Sequence, residues 1–276
     1  MTTKPLLLTS VLLLILSLTA RAQEQAKSKI PPTNEDAPAA LKASTRHGEF
    51  IDIPMGDTKI KSFVVYPERK EKAGVVIVIH EIFGLTDWVR GVADQLAADG
   101  FIAVAPDFLS GKGPSGGGTE SFEGDKVRDA IRSLSKDEVN QRIDAVREWA
   151  IKQPAASDKT ATIGFCWGGS QSFNYAAHQP KLNAAIVYYG SAPTDKSELE
   201  KISAPVLGLY GGDDARITKT VEPTTATMKE LNKSYTPHTY ESAGHGFLRQ
   251  RKNEANQKAA DAAWGETIGF LKKHLE

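Results

Sequence analysis

The only cysteine of the chain, Cys166, stands in the run Gly164-Phe165-Cys166-Trp167-Gly168-Gly169. An apolar stretch from Thr160 to Gly164 leads into it, and a helical pattern opens directly after it. Small residues two positions before and after a reactive side chain let a strand and a helix approach closely, which produces the sharp turn of a nucleophile elbow. Such a turn lifts the side chain above the sheet, and the N-terminus of the following helix favours a thiolate there. A thiol used this way needs a base, and the base needs an orienting acid. In this arrangement the chain order is nucleophile, acid, histidine. The order is present: Leu207-Gly208-Leu209-Tyr210 leads into Gly211-Gly212-Asp213-Asp214, and Ser242-Ala243-Gly244-His245-Gly246-Phe247 follows. Asp214 is the preferred acid and Asp213 the fallback. The plain alternatives are a small buried cysteine at a tight junction, two acids that cap the next helix, and a surface histidine.

The elements that must position these groups follow from apolar periodicity. Two short extended runs, Glu49 to Ile53 and Lys59 to Tyr66, flank Pro54-Met55-Gly56-Asp57, a turn composition, and predict an antiparallel hairpin. Unbroken apolar runs follow at Gly74 to Ile79, Phe101 to Ala105, Thr160 to Gly164, Ala184 to Tyr189 and Pro205 to Tyr210, with Thr236 to Tyr240 as a last strand. Helical patterns separate them at Trp88 to Asp99, Lys136 to Lys152, Trp167 to His178, Lys219 to Asn232 and Gln257 to His274. Strands alternating with helices predict an α/β domain whose sheet is mainly parallel, with helices on both faces.

Composition excludes several classes. With 276 residues, 40% hydrophobic and 25% charged, the chain suits one globular α/β domain. Basic and acidic residues are equal at 34, so no net field favours nucleic acid or an anionic membrane surface, and a small molecule is the expected partner. No two of the six histidines stand at metal-ligand spacing with a carboxylate partner, so no metal is expected. No cofactor is expected either. The run Gly111-x-Gly113-x-x-Gly116 matches a dinucleotide fingerprint formally, but it contains Pro114 and opens no amphipathic helix. The whole stretch from Ser110 to Asp125 reads as a mobile surface loop.

The N-terminus reads as a secretory signal peptide over residues 1–22: Lys4, an apolar run from Pro5 to Leu18, and small residues at Ala20 and Ala22 for cleavage. The apolar run is short for a membrane span, so an exported protein is expected, periplasmic or extracellular, with no membrane contact after cleavage. An oxidising compartment normally pairs cysteines, and this chain holds one, which is therefore an inert buried thiol or a working one. Residues 23–46 are polar, hold Pro31, Pro32 and Pro38, and read as a disordered linker, which leaves residues 47–276 as the domain.

Four motifs together resemble the dienelactone hydrolase family, which has the α/β-hydrolase fold: His80-Glu81-Ile82-Phe83-Gly84 at a strand end, Ala105-Pro106-Asp107, the Cys166 elbow, and His245-Gly246-Phe247. The likeness runs from about Glu49 to the C-terminus. It implies a Cys166–His245–Asp214 hydrolase of enol lactones or similar esters that uses no cofactor. It further implies that Glu81 contacts Cys166 and takes part in its activation, and that the backbone N–H groups of Ile82 and Trp167 form an oxyanion hole. Arg249 falls where the family carries an arginine that holds a substrate carboxylate. The family's second arginine, expected shortly after Ala-Pro-Asp, has no match in Phe108-Leu109-Ser110-Gly111-Lys112. Of the aromatic residues, Tyr188 or Tyr189 is expected to reach substrate, with Tyr188 preferred. Two other readings stay open on the same residues: a broad-specificity carboxylesterase, and a non-catalytic exported binding protein.

Overall fold

The structure is a computed structural model that describes residues 30–276; the expected leader lies outside the described residues. Among the described residues eight strands form one sheet: β1 (Gly48–Met55), β2 (Thr58–Val65), β3 (Ala73–Ile79), β4 (Ile102–Pro106), β5 (Ala156–Phe165), β6 (Ala184–Tyr188), β7 (Val206–Gly211) and β8 (Tyr235–Tyr240). Their order is β1-β2-β4-β3-β5-β6-β7-β8. The β1–β2 and β2–β4 pairs are antiparallel and the other pairs are parallel. All eight expected strands are present, each within a few residues of its expected limits.

The inner strands β3, β4, β6 and β7 are apolar on both sides because both faces are covered there. Along β3, Val76 and Val78 pack into one core layer while Val75, Ile77 and Ile79 pack into the other. The first layer is closed by α1 (Ala37–Ala43), α2 (Asp87–Ala98) and α8 (Glu254–Leu275). The second is closed by α4 (Lys136–Ala150), α5 (Trp167–His178), the short α6 (Lys196–Glu200) and α7 (Ala215–Glu230). A further helix, α3 (Lys126–Ser133), follows the glycine-rich loop. From β3 the chain crosses to β4 on one side, and later to β5 on the other. Side chains after the C-terminal ends of β3 and β5 therefore meet in the crevice where the strand order reverses, the usual ligand position in an open α/β sheet.

Two expectations need correction. Residues 30–46 are not a disordered linker: α1 packs on α2, Ala37 is fully buried, and Arg46 forms a two-pronged ion pair with Asp94. Proline there does not prevent order, because Pro38 lies in the first turn of α1, where its missing N–H has no intrahelical partner to lose. The glycine-rich loop is likewise tied down. The buried Asp107 carboxylate accepts from the backbone N–H of Leu109 at 2.9 Å, and from the backbone N–H and hydroxyl of Thr119, both at 2.7 Å. Thr119 in turn accepts from Leu85 N–H at 3.2 Å, joining the loop to the segment after β3. Composition shows the glycines but not the carboxylate that anchors them.

Candidate active site

Cys166 connects β5 to α5 with φ 56° and ψ −115°, a left-handed conformation that a non-glycine residue adopts only when its surroundings enforce it. The enforcement is close packing. A Cβ on Gly164 would lie 1.9 Å from the Gly168 carbonyl oxygen, and one on Gly168 would lie 2.3 Å from the Ile79 carbonyl oxygen. Neither position can carry a side chain while the elbow is closed. The Cys166 N–H donates to the Tyr188 carbonyl at 3.0 Å, which fixes the turn against the end of β6.

The expected acid and histidine come from the next loops. Asp214 follows β7 and is buried, whereas Asp213 is exposed. The His245 Nδ1 lies 2.5 Å from the Asp214 Oδ2. The loop that carries His245 is held at both ends by Asn256 in the first turn of α8, which accepts from Gly244 N–H at 2.9 Å and donates to the Gln250 carbonyl at 2.9 Å. Gly246, at φ 75°, provides the bend. Tyr189, itself at φ 40°, packs its ring edge to face with the imidazole at 4.9 Å. Among the described residues no hydrogen bond links the thiol to the imidazole.

Glu81 follows β3, is buried, and lies 2.9 Å from the Arg249 Nε through its Oε2. The Nε–H does not point along that line, so the contact is an ion pair rather than a directed hydrogen bond. Burial pushes the Glu81 carboxyl up to about 7, against the opposing pull of Arg249. The same burial, reinforced by the Glu81 charge, pushes the Cys166 thiol up to about 11; the backbone N–H of Trp167 pulls the other way. The helix N-terminus thus acts as the sequence predicts, yet it is outweighed, and the resting cysteine is a thiol at neutral pH.

Arg249 spreads over the face of Phe83, with its Cζ 4.8 Å from the ring centroid, and Arg128 of α3 stands 5.2 Å from the same ring. Arg128 also pairs with Asp125 at 3.0 Å. Lys112 is drawn away to Glu138 at 2.7 Å. Ile82 and Trp167, the expected oxyanion donors, are both partly exposed at the adjoining ends of β3 and β5. Tyr188 is a correction: it is fully buried and its hydroxyl is hydrogen-bonded to Thr267 at 2.7 Å, so it belongs to the core. Residue 188 is the last of β6, and the alternation of the strand turns it toward α8. Tyr189, one step beyond, is the tyrosine that meets His245.

Sequence reasoning missed two contributors. His80 is fully buried, with Nδ1 2.7 Å from the Glu81 carbonyl oxygen and Nε2 accepting from Phe108 N–H at 3.2 Å. Those contacts require the neutral ring with its proton on Nδ1, and burial lowers its pKa accordingly. The imidazole also stacks on Trp167 with ring centroids 5.6 Å apart. His80 therefore holds the Glu81 segment to the loop after β4 and to the start of α5; its place at a strand end directly before Glu81 was the available signal. The Asp107–Thr119 anchor is the second, and its signal was the isolated acid of Ala-Pro-Asp.

The profile of the dienelactone hydrolase family matches residues 60–275. The chain belongs to that family. It is 28% identical over 233 residues to a Yersinia pestis protein named "Putative carboxymethylenebutenolidase", covering 80% of this chain and 86% of that one. It is 28% identical over 240 residues to a Bradyrhizobium protein named "Probable 2-oxo-3-(5-oxofuran-2-ylidene)propanoate lactonase", covering 82% of this chain and 94% of that one. A crystal structure of a "Putative Dienelactone Hydrolase" from Klebsiella pneumoniae superimposes with a TM-score of 0.74 at 26% identity, covering 83% of this chain and 99% of that one. This member of the dienelactone hydrolase family is accordingly a carboxylic ester or lactone hydrolase with a small-molecule substrate. Among the described residues no helix is long and apolar enough to cross a membrane, and no group of three metal-ligating side chains converges.

Proposed function

We propose that the protein is an exported hydrolase that opens an enol lactone or activated carboxylic ester through a thioester on Cys166, with His245 and Asp214 completing the catalytic set. The carrying observation is the strained Cys166 elbow at the point where the strand order reverses, in the crevice that also receives the His245–Asp214 pair. A substrate carboxylate that binds Arg249 takes the counter-charge from Glu81. The freed Glu81 carboxylate then becomes a stronger base beside the thiol and accepts its proton. The sulfur bonds to the carbonyl carbon and the carbonyl oxygen becomes an oxyanion held by the backbone N–H groups of Ile82 and Trp167, each worth about 3–4 kcal/mol by comparison with other oxyanion holes. The ring or ester C–O bond breaks and the enolate leaves. His245, oriented by Asp214, takes a proton from water, whose oxygen attacks the thioester; the C–S bond breaks, the thiolate regains its proton from Glu81, and the proton on His245 passes to the enolate product.

A thiolate is a good leaving group, so the scheme suits substrates whose own leaving group departs more readily, such as enolates and phenolates, and disfavours amides. The test is hydrolysis of an enol lactone and of a neutral aryl ester, with mass spectrometry of trapped protein. A covalent acyl adduct on Cys166, lost in Cys166→Ala together with activity, supports the scheme, and undiminished hydrolysis by that variant ends it. Two observations favour a broader carboxylesterase: Arg249 is already neutralised by Glu81, and Lys112 is paired with Glu138. Equal turnover of neutral and anionic esters, indifferent to Arg249→Met, would select that reading. Export is tested by N-terminal sequencing of the protein recovered outside the cytoplasm, with Gln23 as the expected first residue.

A further inference from the structure

The segment ahead of the matched family region reaches the site from outside. The Asn34 N–H donates to the Arg249 carbonyl at 3.0 Å, and the Arg251 guanidinium donates to the Pro31 carbonyl at 2.8 Å. The next carbonyl, of Pro32, accepts from the Trp88 indole N–H at 3.1 Å. Trp88 packs edge to face on Phe165 at 4.9 Å, and Phe165 is the residue before the nucleophile. The far end of the segment is fixed by Ser44 and Arg46, both bonded to Asp94 of α2. Pro32 also sits where a Cβ on Gly91 would come within 2.7 Å of its ring, so α2 leaves a seat for it.

We propose that residues 31–46 form a positioning strap for the active site: clamped to α2, they hold the backbone of Arg249 so that its guanidinium stays over Phe83 and against Glu81. The chain around Arg249 is a short loop between His245 and α8, and Asn34 supplies the N–H that the Arg249 carbonyl accepts. Fixing that carbonyl from one side and Arg251 from the other limits where the guanidinium can go. The strap thereby sets how strongly the site prefers anionic esters. This rests on the reading of Arg249 as the anion-binding residue, while its effect on the Glu81–Arg249 pair does not.

Two variants of the full mature chain each remove one tie. Asn34→Pro deletes the N–H donated to Arg249, and Arg251→Met deletes the guanidinium at Pro31 while keeping apolar bulk. Each is compared with wild type and with Arg249→Met in two assays. The first is the ratio of kcat/KM for an anionic aryl ester to that for a neutral one; the second is the pH profile of Cys166 alkylation by iodoacetamide. A network contact of this kind is worth about three- to tenfold, so the ratio is expected to fall by that factor, through KM. The low-pH inflection assigned to Glu81 is expected to move to higher pH, because Arg249 lowers the Glu81 carboxyl. Arg251→Lys, which keeps a donor, should restore part of both. An unchanged ratio and an unchanged inflection, with only a lower Tm, would overturn the proposal and leave the segment a purely stabilising one. If wild type shows no anionic preference, the reading of Arg249 fails and the inflection alone decides the strap. If Asn34→Pro does not fold, Arg251→Met carries the test.

Discussion

Replacing Glu81 by Gln should make Cys166 more reactive and the enzyme less active. With the thiol at about 11, about one molecule in 10⁴ carries the thiolate at pH 7. Glu81 is the largest cause of that shift after burial, and Gln removes its charge while leaving the Arg249 guanidinium unpaired nearby. A fall of about one unit raises the thiolate population about tenfold, but a less basic sulfur is a weaker nucleophile, with a Brønsted slope of about 0.4–0.5, so alkylation should quicken about three- to fourfold. In the proposed scheme the carboxylate accepts the thiol proton, and losing a positioned base costs about 10²-fold or more. The assay pairs pseudo-first-order iodoacetamide labelling at pH 7 with turnover of an anionic ester. Slower labelling, or undiminished turnover, would refute the reasoning.

The pH dependence follows from the same carboxyl. Wild-type activity should fall as pH drops through about 7, where Glu81 becomes protonated, and the variant should lack that limb. Because the folded value lies above the ordinary 4.5, the folded protein holds this proton more tightly than the unfolded chain does. The resulting stabilisation is complete below about 4.5 and is lost as pH rises toward 7 and beyond. The stability advantage of Glu81→Gln over wild type should therefore grow by about 2 kcal/mol at most between pH 5.5 and 8, read by urea titration at each pH.

Gly164→Ala should abolish soluble folded protein or lower stability by about 4 kcal/mol or more, because its methyl meets the backbone carbonyl of Gly168 rather than a movable side chain; a normal Tm would refute this. Asp107→Ala leaves three donors at the glycine-rich loop unpaired and should cost about 2–4 kcal/mol, with faster hydrogen exchange confined first to residues 108–125. Arg128→Met should raise KM for a doubly anionic ester about two- to fivefold while leaving that for a neutral ester near wild type, since an exposed guanidinium contributes about 1 kcal/mol or less.

The parts of the fold that were legible in the sequence are those whose burial is complete. β3, β4, β6 and β7 are buried end to end and read as unbroken apolar runs, so their limits could be placed closely, whereas β5 opens with the less buried Ser157, Asp158 and Lys159 and begins ahead of its expected start at Thr160. The helices missed, α1, α3 and α6, are short; α3 and α6 are largely polar, and the alanine-rich α1 is set by tertiary contacts, such as Ala37 on α2, rather than by a period of its own. The site divides the same way. Cys166, Asp214 and His245 were legible because local turn chemistry announces them. Whether Arg249 and Glu81 are available was not legible, since it depends on a pairing between positions far apart in the chain. Tyr188 and Tyr189 differ by one position, and the alternation of a strand that ends at Tyr188 decided which of them reaches His245.

Under the proposed function, a lone cysteine in an exported enzyme has to react with esters without reacting with oxidants. A permanently formed thiolate would meet the first requirement and fail the second, because the thiolate is the oxidisable form. The resting arrangement separates the two. Burial and the adjacent Glu81 charge keep Cys166 protonated while Glu81 is engaged with Arg249, and the sulfur gains a base only when something else satisfies that guanidinium. An anionic substrate can do this and a neutral peroxide cannot. On this argument the Glu81–Arg249 pair has a use beyond catalysis: it makes reactivity of the thiol conditional on the charge of what enters the site.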